Sequence, residues 1–214
     1  ETARNIIDVD GSARMLCEMA LSPLLARLKE ATAALHREAE CYVRILDRGA
    51  TVDDYRRYLV AMHGFHAPIE QRFATHAGLA CGGFAPETWC QAPWLRADLA
   101  ALGASELPWC EAVPITETLA QAIGAAYVVE GSMLGGRVIL ARLPPALAPL
   151  RGKATRFLEG YGAGTGAQWR RFAELAHPAD EAAAIAAACQ TFEHLIGWLA
   201  TFEARGDLPL SEAS

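Results

Sequence analysis

The stretch between Thr116 and the Pro144-Pro145 pair constrains this chain most. It reads as one long helix that the two prolines stop. Yet its middle, "VEGSMLGGRVIL" at residues 129–140, carries Gly131, Gly135 and Gly136. Each glycine inside a helix costs about 1 kcal/mol relative to alanine. Gly131 and Gly135 are one turn apart and share one side of the helix. Two explanations stand on the glycines alone. Another backbone approaches where a Cβ would not fit, or a large flat ligand such as a porphyrin lies against the bare main chain. The second also leaves room for a small molecule such as dioxygen and lets the helix bend.

The rest of the chain also reads as helices. Ser22-Pro23 is a helix start, with a hydroxyl cap followed by proline at the first position. An apolar stripe then runs through Leu24, Leu25, Leu28, Ala31, Leu35, Val43 and Leu46 until Gly49. Thr51 and Asp54 have the spacing of a capping box. The helix they open contains Pro68, which predicts a kink or split near Phe65–Ala67. Residues 78–93 read as a loop, "WLRADLAALG" as a short helix ending at Gly103, and 150–159 as another helix. A glycine-rich break "GYGAGTG", a helix from Gln168 and a last helix from about Ala179 to Ala204 complete the chain. With no alternating strand pattern, repeat or linker, the expectation is a single all-α domain over residues 22–206. Residues 1–21 read as a leader or added remnant, loosely ordered, and 207–214 as a tail.

The 214 residues suffice for one large domain, and 52% of them are hydrophobic. A net charge of -6 argues against a general nucleic-acid role. The six cysteines show no CxxC spacing and read as reduced thiols of a cytoplasmic protein. The alanine-rich run Ala182–Cys189 is far shorter than the roughly 18 residues of a membrane span, so no membrane is expected.

A porphyrin needs an axial ligand. His36 lies in "TAALHREAE", with Glu40 one turn later and Lys29 two turns earlier, all on one face. Imidazole is a common haem ligand, and a neighbouring carboxylate fixes its orientation. Lys29, roughly 10 Å along the axis, is placed for a propionate at the haem edge. A surface histidine among charges is the plain alternative. His63, His66 and Glu70 form a competing set that suits a bare iron ion, but Pro68 interrupts their turn and no second Glu-x-x-His element completes a di-iron site.

Taken together, three segments resemble the haem oxygenase family, particularly its bacterial, biliverdin-producing members. "LKEATAALHREAE" resembles the proximal-helix motif, "AAYVVEGSMLGGRVIL" the distal-helix motif, and "TGAQWRRF" a further bacterial stretch. Their order and spacing fit over about residues 22–205. The resemblance implies an all-α fold with haem between proximal and distal helices. It also implies that haem is both substrate and cofactor, opened by dioxygen and external electrons to biliverdin, CO and ferrous iron. His36 matches the metal ligand; Gly131 and Gly135, with Gly136 beside them, match the distal contacts. Lys29 and Tyr127 match positions that meet propionates, as do Arg142 or Arg170, and Phe192 matches a pocket aromatic. Ser132 stands where animal members carry a water-organising aspartate, which leaves that task to other groups. A basic residue and a tyrosine at positions 29 and 127 accompany cleavage at the α-meso carbon, so biliverdin IXα is expected.

The chain has no flavin or nicotinamide motif of its own. Arg27, Lys29, Arg37, Arg44 and Arg48 crowd the first helix, which suits an acidic electron donor such as a ferredoxin or flavodoxin. A biliverdin-binding photoreceptor is a further partner the product would suit. A haem-binding or haem-transfer protein that keeps the pocket without turnover is the alternative of a different class, and a non-haem iron protein using His63, His66 and Glu70 a third.

Overall fold

The computed structural model describes residues 22–83, 89–104, 107–177 and 179–204; the leader and tail expected at 1–21 and 207–214 lie outside them. The described residues contain eight α-helices and no strand: α1 (Pro23–Glu40), α2 (Val52–Ala74), α3 (Ala77–Cys81), α4 (Ala92–Ala101), α5 (Leu119–Arg142), α6 (Arg156–Glu159), α7 (Thr165–Ala176) and α8 (Glu181–Ala204). They form a single all-α domain.

The start of α1 follows the proline, but not the serine. Pro23 sits at the first position, while the buried Ser22 hydroxyl makes no cap bond. The helix also stops at Glu40, well before Gly49. Successive N–H groups of Cys41, Tyr42 and Val43 reach carbonyls only three residues back, which tightens the chain out of the α form. A 3₁₀ turn at Arg44–Leu46 then buries Ile45 rather than continuing the stripe through Val43 and Leu46. Within α1 the buried residues are Leu24, Leu25, Leu28, Thr32 and Ala39, with Ala31 exposed.

Helix α2 opens on the expected capping box, with the Thr51 and Asp54 side chains each bonded to the other's main-chain N–H. It then runs unbroken through Pro68. A proline lacks the N–H that would bond the carbonyl four residues back, here that of Gly64. The Cys110 N–H occupies that carbonyl instead, at 3.0 Å. Gly64 is bare for the same contact: a Cβ there would meet Trp198 Cζ2 at 2.5 Å and Pro108 O at 2.6 Å. The helix does not split near Phe65–Ala67, because the 108–110 segment satisfies the carbonyl that the proline leaves open.

The loop expected at 78–93 begins inside α3, which is capped by the His76 ring, whose Nδ1 accepts from the Leu79 N–H at 3.2 Å. Helix α4 ends as its sequence suggests. Gly103 has φ +70°, and the N–H groups of Gly103 and Ala104 bond Ala100 and Leu99 carbonyls. Helix α5 begins three residues later than expected, on a capping box between Thr118 and Gln121. The 150–159 region holds a 3₁₀ turn, Ala148–Leu150, and the single-turn α6. Helix α7 starts at Thr165, earlier than Gln168.

Helix α5 is long and apolar enough to cross a membrane, with a mean hydropathy of 1.3 in its best window, but more than half of that window is buried inside the protein. It serves two cores. Ala122, Ile123, Ala125, Ala126, Val128 and Val129 pack with α1, α2, α7 and α8. Met133 and Ile139 pack with α2, α4 and α6. Its closest crossing is at Gly124, where a Cβ would lie 2.2 Å from the Ala184 carbonyl oxygen of α8.

Candidate active site

The glycines of α5 divide by what faces them. A Cβ on Gly136 would sit 3.3 Å from Leu158 Cα, so this glycine admits the backbone of α6. Asp98 of α4 fixes that backbone by accepting the Arg156 and Phe157 N–H groups at 2.9 and 2.8 Å. Burial raises the Asp98 carboxyl against the lowering effect of those two bonds. A Cβ on Gly131 or Gly135 would meet nothing within 4 Å. Close helix packing thus accounts for Gly136 and Gly124, and does not account for the pair that share a face. Their bare main chain borders open space.

His36 is on α1, with 45% of its side chain exposed. Its Nδ1 is 3.4 Å from Glu40 Oε1, and its ring meets Phe192 of α8 edge-on, with centroids 5.8 Å apart. The arrangement directs Nδ1 to a carboxylate and leaves Nε2 turned away from it. Helices α1 and α5 meet where the Tyr127 hydroxyl interacts with that of Thr32. His36 is one turn beyond Thr32, and Gly131 one turn beyond Tyr127, each about 6 Å along its axis. Burial pushes the Tyr127 hydroxyl up to about 12, so it stays protonated near neutrality. Lys29 is half-buried on α1; Arg142 and Arg170 are exposed, at the end of α5 and on α7.

Among the described residues, no three histidine, cysteine, aspartate or glutamate side chains gather as a metal site. Glu70 and His66 are committed elsewhere. Glu70 accepts the Gln91 N–H on Oε1 at 2.8 Å and the Ala92 N–H on Oε2 at 2.9 Å. His66, fully buried, places Nδ1 3.0 Å from Gln91 Oε1 and 3.3 Å from Glu70 Oε1. His63 is buried without a partner for either ring nitrogen, and burial lowers its pKa.

This polar cluster continues behind α5. Gln91 Nε2 donates to Glu130 Oε1 at 2.7 Å, and the Tyr161 hydroxyl donates to the same carboxyl at 3.1 Å. Burial pushes Glu130 up to about 8, so near pH 7 it is mostly the neutral acid. On the other side, His66 Nε2 lies 3.5 Å from Ser132 Oγ, which also donates to the Val129 carbonyl at 2.6 Å. Gln91, Glu130 and Tyr161 escape a motif-based reading. The available signal was Glu130 itself, a carboxylate between Val129 and Gly131 in an otherwise apolar helix.

The family pattern described as Heme oxygenase matches residues 22–201 of this chain. The chain belongs to the haem oxygenase family. Among solved structures it is similar to the NO- and CO-bound heme oxygenase from Neisseria meningitidis, at 24% identity and a TM-score of 0.72. That match covers 89% of this chain and 98% of the other. A comparison with curated protein sequences gives no match.

Proposed function

We propose that this protein is a haem-degrading oxygenase, producing biliverdin IXα, CO and ferrous iron with electrons from a separate donor. The observation that carries the reading is the contrast within α5: Gly124 and Gly136 are occupied by neighbouring backbone, while Gly131 and Gly135 face open space one and two turns from the contact with α1. His36 fits as the axial ligand, with Glu40 orienting it and Phe192 supporting the ring. Bound haem supplies both the iron that activates dioxygen and the ring that is cleaved. The chain's own task is to hold that ring between His36 and the glycines, exclude side chains from the oxygen side and fix the ring's rotation.

Lys29 and Tyr127 support the α-meso assignment, since one offers a cation and the other a protonated hydroxyl at a propionate-bearing edge. The donor surface is narrower than the run of basic residues suggests. Arg27 pairs with Glu30 at 2.7 Å and Glu181 at 3.4 Å, and Arg44 with Asp47 at 3.5 Å. Lys29, Arg37 and Arg48 remain to steer an acidic ferredoxin or flavodoxin. The free thiols of Cys41, Cys81, Cys110 and Cys189 suit a reducing cytoplasm.

The test is haem with ascorbate or a reductase under air. Loss of the Soret band with growth of a biliverdin band is expected, and chromatography should show mainly the IXα isomer. A stable Soret band would favour a haem carrier.

A further inference from the structure

Four aromatic side chains of the larger core form a path that leads away from the cleft. Tyr127 stands where α5 meets α1, one turn before Gly131. Its ring centroid lies 6.2 Å from that of Trp169 on α7. Trp169 lies 5.5 Å from Phe172, one turn further along α7, and Phe172 lies 6.3 Å from Trp89. Trp89 lines a cavity of about 610 Å³ together with Cys81 of α3, Leu119 of α5 and Arg171 of α7. Cys81 and Arg171 are exposed, so the cavity opens to solvent.

Aromatic pairs at these separations are ordinary core packing. Trp169 asks for more than packing. It is 5% exposed, and its indole N–H is buried without an acceptor. A buried donor with no partner is costly, and phenylalanine would offer a ring at that place without the cost. A redox role is one of the few explanations for such a group. An indole that cannot hand its N–H proton to a neighbour stays a cation when it loses an electron. The electron can then return without any proton having to move, so the ring passes charge on rather than trapping it. Trp94 supplies the contrast. The Arg156 guanidinium lies 4.2 Å from its ring centroid, where a positive charge opposes the loss of an electron.

We propose that Tyr127, Trp169, Phe172 and Trp89 carry electrons from the cavity to the cleft and quench oxidising equivalents that arise beside a bound porphyrin. The inference rests on the haem-degrading reading above. The oxidant is hydrogen peroxide, the two-electron reduction product of dioxygen. The electron source is a small reductant of the ascorbate class, whose anion Arg171 suits.

Each transfer moves one electron. Trp169 gives an electron to the cleft and becomes a cation, Trp89 restores Trp169, and ascorbate restores Trp89 while releasing a proton to solvent. Two such transfers, with two protons from solvent, turn one hydrogen peroxide into two waters. Phe172 and Tyr127 act as bridges. The phenyl ring is not itself oxidised, and the Tyr127 hydroxyl meets the neutral hydroxyl of Thr32, which does not take up its proton.

The test treats the full-length, ferric haem-loaded protein with hydrogen peroxide in the absence of ascorbate. Freeze-quench electron paramagnetic resonance should show a tryptophan radical, and peptide mass spectrometry should find Trp89 oxidised. Added ascorbate should abolish both signals. Trp169→Phe should keep the wild-type circular dichroism and Soret band, lose the oxidation at Trp89 and bleach its porphyrin faster. Trp89→Phe, which leaves α7 untouched, should move the oxidation to Trp169. Trp94→Phe should match the wild type. Undiminished Trp89 oxidation in Trp169→Phe, or damage that falls on Trp94 as readily as on Trp89, would overturn the path alone. A wild-type protein that takes up no haem would overturn the oxygenase reading and the path together.

Discussion

A glycine-to-alanine series along α5 separates packing from function, because one substitution meets four different surroundings. At Gly124 the added Cβ would lie 2.2 Å from Ala184 O, 2.8 Å from Ala187 Cβ and 2.9 Å from Ala188 N. None of these atoms can rotate aside, so α5 and α8 must part. Overpacking of this kind costs about 1–3 kcal/mol, against a gain of about 1 kcal/mol in helix propensity. Gly124→Ala should therefore be less stable by up to about 2 kcal/mol. At Gly136 the nearest atom, Leu158 Cα at 3.3 Å, needs to give only slightly, and the two effects should nearly cancel. At Gly131 and Gly135 a Cβ meets nothing within 4 Å, so propensity acts alone. Gly131→Ala and Gly135→Ala should each stabilise the ligand-free protein by up to about 1 kcal/mol. The same two should impair haem conversion, since the methyl groups enter the space kept clear for the ligand. Urea unfolding of the ligand-free variants, followed by haem titration and single-turnover conversion, reads both effects. Loss of stability at Gly131 or Gly135, or a stabilised double variant that converts haem at the wild-type rate, would refute the reasoning.

Glu130 makes stability depend on pH. Its folded pKa is raised to about 8 from an ordinary 4.5, so its contribution is complete below about pH 4.5 and is lost as pH rises through 8. Each pH unit in that window costs at most about 1.4 kcal/mol. Glu130→Gln, which keeps the shape of the neutral acid, should flatten this part of the profile; a Tm–pH curve from pH 5 to 8.5 parallel to wild type would count against the assignment. His63 acts in the opposite sense, because its lowered folded pKa destabilises the protein as pH falls below about 6.5. His63→Phe should reduce acid sensitivity in the same Tm series. His36→Ala should lose the histidine-ligated ferric spectrum and regain it with added imidazole; an unchanged spectrum would remove His36 from the iron. With a ferredoxin or flavodoxin donor, turnover should slow as salt rises, and salt-independent rates would argue against docking at Lys29, Arg37 and Arg48.

Local chemistry was the most legible part of the sequence. The capping box at Thr51, the Pro23 start and the Gly103 stop depend on residues within a turn of each other, and each is where the sequence places it. Failures arose where a distant segment decides. The apolar spacing past Glu40 suits an α-helix as well as the 3₁₀ turn that forms, and only the burial of Ile45 distinguishes them. Gly124 lies in an alanine-rich run and gives no hint that α8 crosses it. In the site, the shared face of Gly131 and Gly135 and the pairing of His36 with Glu40 follow from helical spacing. The separate orientation of Gly136 needs α6, and the cluster from Ser132 to Tyr161 draws on residues far apart in the chain. His63, His66 and Glu70 were visible as a set that could hold a metal, a reading Pro68 already told against, but their bonds to Gln91 and Ala92 are invisible to any local pattern.

Pro68 specifies a docking point by what it lacks. Any other residue at 68 would bring an amide of its own to the Gly64 carbonyl and compete with Cys110 for it. In Pro68→Ala the helix would be better satisfied internally while the 108–110 segment lost its tether, so a nominally helix-favouring change would free a remote strand of chain. Amide exchange at Cys110 would register that release directly: slow in the wild type, fast in the variant, with the exchange of α2 itself unchanged or slower.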